Sequence, residues 1–376
     1  MAEAQAAGVE PPKCPRDPPA DLPKPGEIKV YDFRTEEAKS AAQAARSGKP
    51  GATGKTVKVV QWNIERGYKL PQIIEELKQI DADVLALQEI DIHCERSQWE
   101  DTGVAIAKAL GLQYAFLCEF EELWSPVRDP DAQGGGVHGN ALLSKYDLTD
   151  LRVVEHEHHP IDWEAPEHPL CKKEPRHGKR LTLAGTALTP QGPLLVYSVH
   201  LEVFCGMLAR MRQYSDVLLD VRKVDAAGGP KHQVICGDLN TQANSLARLS
   251  ANYCTDRMRW RTLGWFEAEV WDRHVFGCME DPAQPEKHSK WLEGAGLDVA
   301  TCKTLVNPGF KDPWDPRRDI TIDLIKYRWL GFRLMTGKLD WVLTRNMRVT
   351  SKAMGNDEYD KSDHKWLLVE VEFDQV

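Results

Sequence analysis

The chain is 376 residues long, with 42% hydrophobic and 28% charged side chains, which leaves room for one large domain or two modest ones around a sizeable core. Its formal charge of −9 excludes bulk electrostatic gripping of nucleic acid, so any polynucleotide would have to be held locally and with the help of a cation. Solubility accounts for the global charge, and no apolar run approaches the ~20 residues that span a bilayer.

Nine cysteines occur singly, with no CxxC pair. Reduced thiols in a cytoplasmic or nuclear protein are therefore expected, not a disulfide framework or a zinc knuckle. Residues 1–55 read as a disordered or weakly ordered N-terminal tail, and 56–376 as one domain. The opening MAEAQAAGVEPPKCPRDPP has no apolar h-region, so no secretory signal is expected. A transient helix is expected around Thr35–Arg46. GKPGATGKT is not a phosphate-cradling loop: five residues separate Gly48 from Gly54 where that loop needs four, and no strand precedes it.

From Val57 the pattern changes. VKVVQW is a short apolar strand. Leu70–Ile80 is a helix, with Pro71 in its first turn and Ile73, Ile74, Leu77 and Ile80 on one face. VLALQ (Val84–Gln88) is again a strand, and Asp101–Leu110 a helix ended by Gly111. Tyr114–Cys118, Ala141–Leu143, Leu181–Leu188 and Leu194–Val199 read as strands. Leu208, Met211, Leu218 and Val221 mark a longer helix, followed by strands Gln233–Cys236, Leu339–Leu343 and Trp366–Val371. Trp265–Lys326 reads as long loops with short helices. Strands and helices alternate throughout, which predicts an α/β fold.

The residues at the strand ends carry the chemistry. Asn63 follows VKVVQW, Glu89 follows VLALQ, and His200 follows LLVYSV. QVIC runs into Gly237-Asp238-Leu239-Asn240, Leu339 leads to Asp340, and Ser362-Asp363-His364 precedes the last strand. One such residue is a turn or a cap. Six sets together, on loops that converge at one rim of an α/β fold, predict a site. Oxygen ligands such as Glu89 and Asp363, with the Asn63 amide, suit Mg²⁺ or Mn²⁺, and no Cys/His cluster suits zinc. Asp238 is placed to orient and deprotonate a water, Asn240 to hold water or phosphate, and an Asp340–His364 pair to supply an oriented, cationic imidazole.

Taken together, QWNIERG, LALQEID, GNALLSK, VYSVHLE, CGDLNT, KLDWVL and KSDHKWL resemble the endonuclease/exonuclease/phosphatase superfamily typified by deoxyribonuclease I, from about Val57 to Val371. The resemblance implies a four-layer sandwich of two mixed β-sheets flanked by helices. It implies Glu89 as a direct metal ligand with Asn63 and Asp363 close by, and Asp238 as the residue that orients the water. His200 and Asn240 would contact phosphate, and Asp340 would pair with His364. By the same matching, Arg180 stands where relatives place a phosphate-binding arginine, and Asn140 in GNALLS either touches substrate or turns the chain. Arg210 and Gln213 match a recurrent RxxQ and are expected to be structural.

Other residues invite a functional reading and have a plainer one. EHEHH (Glu155–His159) is expected to be a solvated loop, because adjacent histidines in a strand point to opposite faces. Gly134-Gly135-Gly136 predicts a flexible loop beside the site. Arg96 either reaches a phosphate or forms an exposed ion pair with Glu95 or Asp91. Trp265, Phe266 and Trp271 are expected in the core. The expected function is Mg²⁺- or Mn²⁺-dependent phosphodiester hydrolysis on nucleic acid or nucleotides, by a monomer without a membrane span. The alternatives are a phospholipid or sugar-phosphate phosphoesterase and, more remotely, an inactive scaffold. A scaffold would ordinarily have lost a carboxylate or the SDH histidine, and this chain has all of them.

Overall fold

Along the strand Val57–Asn63, Val57 and Val59 face one way and Val60 and Trp62 the other, and all four are buried, so the strand needs an apolar layer on each side. The computed structural model, which describes residues 13–46, 56–165, 168–242, 244–323, 328–329, 332–333 and 336–375, supplies both layers. Its strands in chain order are β1 (Ile28–Asp32), β2 (Val57–Asn63), β3 (Val84–Ile92), β4 (Gln113–Glu122), β5 (Gly136–Ser144), β6 (Leu148–Glu155), β7 (Arg176–Gly178) and β8 (Leu181–Thr189). They continue as β9 (Gly192–His200), β10 (His232–Asp238), β11 (Arg328–Trp329), β12 (Phe332–Arg333), β13 (Asp340–Arg345), β14 (Met347–Gly355) and β15 (Trp366–Phe373).

One sheet runs β1-β4-β5-β3-β2-β15-β14, with β7 also paired to β4; the other runs β13-β10-β9-β8-β6. β2/β3 and β9/β10 are parallel and the other pairs antiparallel, so both sheets are mixed. Between them lies a core of Val57, Val59, Val84 and Ala86 from the first sheet against Leu194, Val196, Val234 and Cys236 from the second. The outer face of the first sheet packs on the helices Leu70–Ile80 and Thr102–Leu110 through Ile73, Leu77, Ile80 and Ile106. The outer face of the second packs on the helix Met207–Ala226 through Met211, Tyr214, Val217 and Val221, with Trp271 and Leu292 beside it. This is the expected four-layer sandwich.

The expectation of a weakly ordered tail fails for part of the segment. Ile28–Asp32 pairs with Gln113–Leu117 as an edge strand, and Glu36–Arg46 is a helix, as the sequence around Thr35–Arg46 predicted. The five-residue strand is hidden in the composition by its Pro- and Lys-rich approach. Residues 1–12 and 47–55, which include Gly48 to Gly54, lie outside the described residues. Strands β6 and β14 were not expected either. Each turns a polar face to solvent, so neither makes an apolar run. The Trp265–Lys326 stretch has the expected short helices, at Glu267–Trp271, Lys290–Ala295 and Val299–Thr304. Among the described residues no helix is long and apolar enough to cross a membrane.

Candidate active site

The layer between the sheets changes chemistry at one end. On β2 the inward positions run Val57, Val59, Gln61, Asn63; on β3 they run Val84, Ala86, Gln88. On β9 they run Leu194, Val196, Ser198, His200, and on β10 Val234, Cys236, Asp238. The period of two that buries valines at one end therefore delivers amide, hydroxyl, imidazole and carboxylate groups at the other. A hydrogen-bonded floor separates the two zones. Gln61 Nε2 donates to Gln88 Oε1 at 2.8 Å and to Asp340 Oδ1 at 2.9 Å, and Gln88 Nε2 donates to Ser198 Oγ at 3.0 Å.

Asp238 stands at the centre. Asn63 Nδ2 lies 3.2 Å from its Oδ2 and 3.2 Å from Glu89 Oε1. His200 Nε2 and His364 Nε2 lie 3.6 Å and 3.7 Å from the same oxygen. Asp238 Oδ1 accepts the Asn240 backbone N–H at 2.8 Å. Gly237 makes this placement possible: a Cβ there would sit 2.1 Å from the Val199 carbonyl oxygen of the neighbouring strand. Glu89 sits in a bulge that breaks the β3/β5 register between Leu87 and Ile90, with φ at 60°, a conformation costly for a side-chain-bearing residue. The bulge turns the carboxylate to the site, where Arg66 Nε lies 3.7 Å away.

The loop before β15 is tied down from several sides. Ser362 Oγ donates to the Asn63 carbonyl at 2.6 Å, Trp62 Nε1 to the His364 carbonyl at 3.0 Å, and Asn356 Nδ2 to the Ser362 and His364 carbonyls at 2.7 Å each. His364 Nδ1 is thereby held 2.7 Å from Asp340 Oδ2. Asp363 Oδ1 lies 3.9 Å from His364 Nε2 and remains partly exposed.

Charge follows from this geometry. Burial disfavours a charged His364, but Asp340, Asp238 and Asp363 outweigh it and hold the imidazole pKa well above its ordinary value. Burial and the neighbouring Arg180, His138 and His364 push His200 well below. Arg180 Nη1 lies 3.1 Å from His200 Nδ1 and can only donate, so the proton of neutral His200 belongs on Nε2, the nitrogen that faces Asp238. Burial raises Asp238 to about 7, with Asp340 adding to the rise and His364 opposing it. Glu89 also pays for burial, but Arg66, His138 and His364 leave it below the ordinary carboxylate value.

All eight strand-end residues named from the sequence thus cluster about Asp238, the others each linked to it directly or through one neighbour by a distance under 4 Å. One of them, Asn240, and Arg180 differ in detail from expectation. Arg180 is buried and engaged by Glu119 Oε2 at 3.1 Å as well as by His200. Asn240 has one amide hydrogen committed to the Leu201 carbonyl, at 2.9 Å, and its oxygen takes Gln242 Nε2. Asn140 Nδ2 donates to the Leu181 carbonyl, and its buried Oδ1 has no partner among the described residues. Arg210 and Gln213 are structural: Arg210 pairs with buried Glu267 at 2.7 Å, and Gln213 Oε1 takes the Glu202 N–H.

Other expectations are corrected. His156 of EHEHH is not solvated: it is buried, with Nδ1 3.0 Å from the Gln213 carbonyl, just beyond the end of β6, which the polar sequence hides. Arg96 pairs with Asp91, as one reading had it, but the pair is buried and shared with Glu122. The Gly134–Gly136 stretch is packed rather than free, since a Cβ at Gly136 would lie 2.1 Å from the Ile92 carbonyl oxygen. Trp271 is core, whereas Trp265 and Phe266 are half-buried under Arg273 and Arg317.

Sequence reasoning did not reach Gln61, Gln88 and Ser198. The signal was available: Gln61 and Ser198 lie two residues before Asn63 and His200, and Gln88 shares the inward parity of Val84 and Ala86. It also passed over Glu119 and His138. These form, with His200, one of two groups of buried metal-competent side chains among the described residues. The other is Asp238, Asp340 and His364; Glu89 and Asp363 belong to neither. A divalent cation still suits the rim. Glu89 and Asp363 offer carboxylate oxygens without a thiolate, whereas Asn63 turns its Nδ2 to Glu89 and its Oδ1 accepts the Glu65 N–H at 3.1 Å; the buried Asn140 Oδ1, which has no partner among the described residues, is a further oxygen.

The sequence pattern of the Endonuclease/Exonuclease/phosphatase family matches residues 60–364. Among solved structures, an endonuclease/exonuclease/phosphatase from Bacteroides vulgatus is 15% identical, with 85% of this chain and 100% of that chain covered and a TM-score of 0.49. One from Beutenbergia cavernae is 15% identical over 85% and 72% of the two chains, TM-score 0.48. TDP2 from Caenorhabditis elegans is 15% identical over 89% and 80%, TM-score 0.48. No curated protein matches.

Proposed function

The chain belongs to the Endonuclease/Exonuclease/phosphatase family, whose members are hydrolytic phosphoesterases, and on that premise we propose that it hydrolyses a phosphodiester of nucleic acid or a nucleotide by direct attack of water. The observation that carries the reading is the surrounding of Asp238, whose Oδ2 has an amide and two imidazoles within 3.7 Å.

Asp238 takes the proton of the attacking water, which its raised pKa suits it to do near neutral pH. Asn240 holds Asp238 through its backbone N–H and keeps one amide hydrogen for water or phosphate. His200 presents Nε2–H to a phosphoryl oxygen, with Arg180 fixing that tautomer from behind, so the phosphate role expected of Arg180 is exerted through His200. His364, cationic on its Asp340 support, stabilises charge as it develops on the phosphoryl group. Asn63, Glu89 and Asp363 would hold Mg²⁺ or Mn²⁺, which when bound polarises a phosphoryl oxygen. Asn140, with its unpartnered Oδ1, is a further substrate or water contact.

A phospholipid phosphoesterase is the second reading. It is favoured by the three exposed apolar side chains, Leu249, Trp260 and Leu263, on the segment that follows the Asp238–Asn240 turn. The test is release of nitrophenol from bis-(p-nitrophenyl) phosphate with Mg²⁺ or Mn²⁺, by wild type and His364→Ala, followed by single- and double-stranded DNA, RNA, poly(A), sphingomyelin and inositol phosphates. Cation-dependent hydrolysis by the wild type alone supports the reading. Inactivity of both proteins on every substrate would make the chain a scaffold.

A further inference from the structure

The segment between Leu249 and Leu263 departs from the rest of the surface in two ways. It exposes large apolar side chains: Leu249 is 59%, Trp260 50% and Leu263 64% exposed, where most large hydrophobic residues of the chain are buried. It is also locally basic in a chain of net charge −9, with Arg257, Arg259 and Arg261 alternating through it. Their charge is not neutralised locally. Arg259 Nη1 donates to the Ser250 carbonyl and Arg261 Nη1 to the Gly294 carbonyl, and among the described residues none of the three has a carboxylate partner. The one acid in the stretch, Asp256, has an oxygen engaged by each of two backbone N–H groups, those of Leu208 and Met258.

These residues share a surface. Arg248 Nη1 binds the Arg259 carbonyl at 3.0 Å and Thr262 Oγ1 at 2.7 Å, which fastens the turn carrying Leu249 to the one carrying Trp260 and Leu263. Trp260 lies on the short helix Met258–Arg261 and Leu263 in the turn that directly follows it. The surface adjoins the catalytic rim, because Tyr253 stacks on Phe204, in the loop that leaves His200, with ring centroids 5.6 Å apart.

We propose that this patch docks the protein on an anionic lipid surface. The arginines match the charge of such a surface. The exposed aliphatic chains select it over single-stranded nucleic acid, because leucine offers a base nothing to stack on, whereas leucine and tryptophan both enter the headgroup boundary. The inference is independent of which diester the site cuts.

The experiment is flotation of the full chain with vesicles of phosphatidylcholine alone and of phosphatidylcholine with phosphatidylserine, at low and high salt. Wild type should float with the anionic vesicles only and be released by salt. The surface variant Trp260→Ala/Leu263→Ser should partition about tenfold more weakly or worse. Arg257→Gln/Arg261→Gln should lose about fivefold for each charge. Both should melt like wild type and match it on bis-(p-nitrophenyl) phosphate. Binding that none of these substitutions changes, absence of binding to anionic vesicles, or tighter capture of a single-stranded oligonucleotide through the same residues would each overturn the proposal. If the wild type cuts no diester, the flotation result stands unaffected.

Discussion

Asp340 Oδ2 lies 2.7 Å from His364 Nδ1, while its other oxygen accepts from Gln61 Nε2 at 2.9 Å, so one buried carboxylate ties the site's cation to the floor beneath it. Asp340→Asn keeps the shape and removes the charge. The His364 imidazole, now held well above its ordinary pKa, should then titrate at lower pH, because burial remains and its strongest opponent is gone. In an NMR titration of wild type and variant, an unmoved His364 signal would mean that the pair does not set its charge. On the proposed mechanism kcat should fall by roughly 10²–10⁴ with little change in KM, the scale of an oriented acid or electrostatic group.

Asp238→Asn should slow hydrolysis by roughly 10²–10⁴ while sparing cation and substrate binding, as expected when only the base is lost. The wild-type rate should rise as pH passes through about 7, since the base is the ionised carboxylate and burial raises its pKa. Stability should show the opposite trend. A folded-state pKa above the unfolded value means that the native state binds the extra proton between about 4 and 7, so wild type loses stability as pH rises through that window. In chelator-treated protein Asp238→Asn should therefore melt above wild type at pH 8, with the advantage shrinking towards pH 4. Equal melting curves at pH 8 would show that Asp238 is not held at a cost to the fold.

Much of this was legible because two periodicities coincide. Period-two apolar positions located β2, β3, β9 and β10, and Asn63, His200 and Asp238 keep that inward parity at the strand ends, whereas Glu89 reaches the rim through the Leu87/Ile90 bulge. What lies across the sheets was not legible. Glu119 and His138 come from adjacent strands and meet His200 only through register set by bulges at Leu87/Ile90 and Cys118/Phe120. His156 looked solvated because its neighbours are polar, and Ile28–Asp32 looked like tail because one edge strand is too short to outweigh its flanks. Chemistry placed by a strand's own parity can be read along the chain; chemistry placed by pairing cannot.

Glu89→Gln should weaken binding of Mg²⁺ or Mn²⁺ more than it weakens the fold, because an amide keeps the shape of a metal-ligand carboxylate and loses its charge. Glu89 already sits in a strained bulge beside Arg66, so the neutral variant relieves no steric conflict and forfeits a cation partner. Calorimetric titration with Mn²⁺ is the check, and unchanged affinity would remove Glu89 from the cation site.

Arg180→Gln tests the tautomer argument. Glutamine can still donate to His200 Nδ1, whereas Arg180→Leu cannot, and Leu also leaves Glu119, already raised to about 7 by burial, without its guanidinium. The Gln variant should keep the proton of His200 on Nε2 and most of the activity. The Leu variant should let the proton move to Nδ1, lowering kcat by at least tenfold and raising KM, since Nε2 would then meet a phosphoryl oxygen lone pair to lone pair. Nitrogen-15 shifts of His200 report the tautomer directly. An Nε2-protonated ring in both variants, with activity lost in both, would mean that Arg180 acts on phosphate itself and not through the histidine.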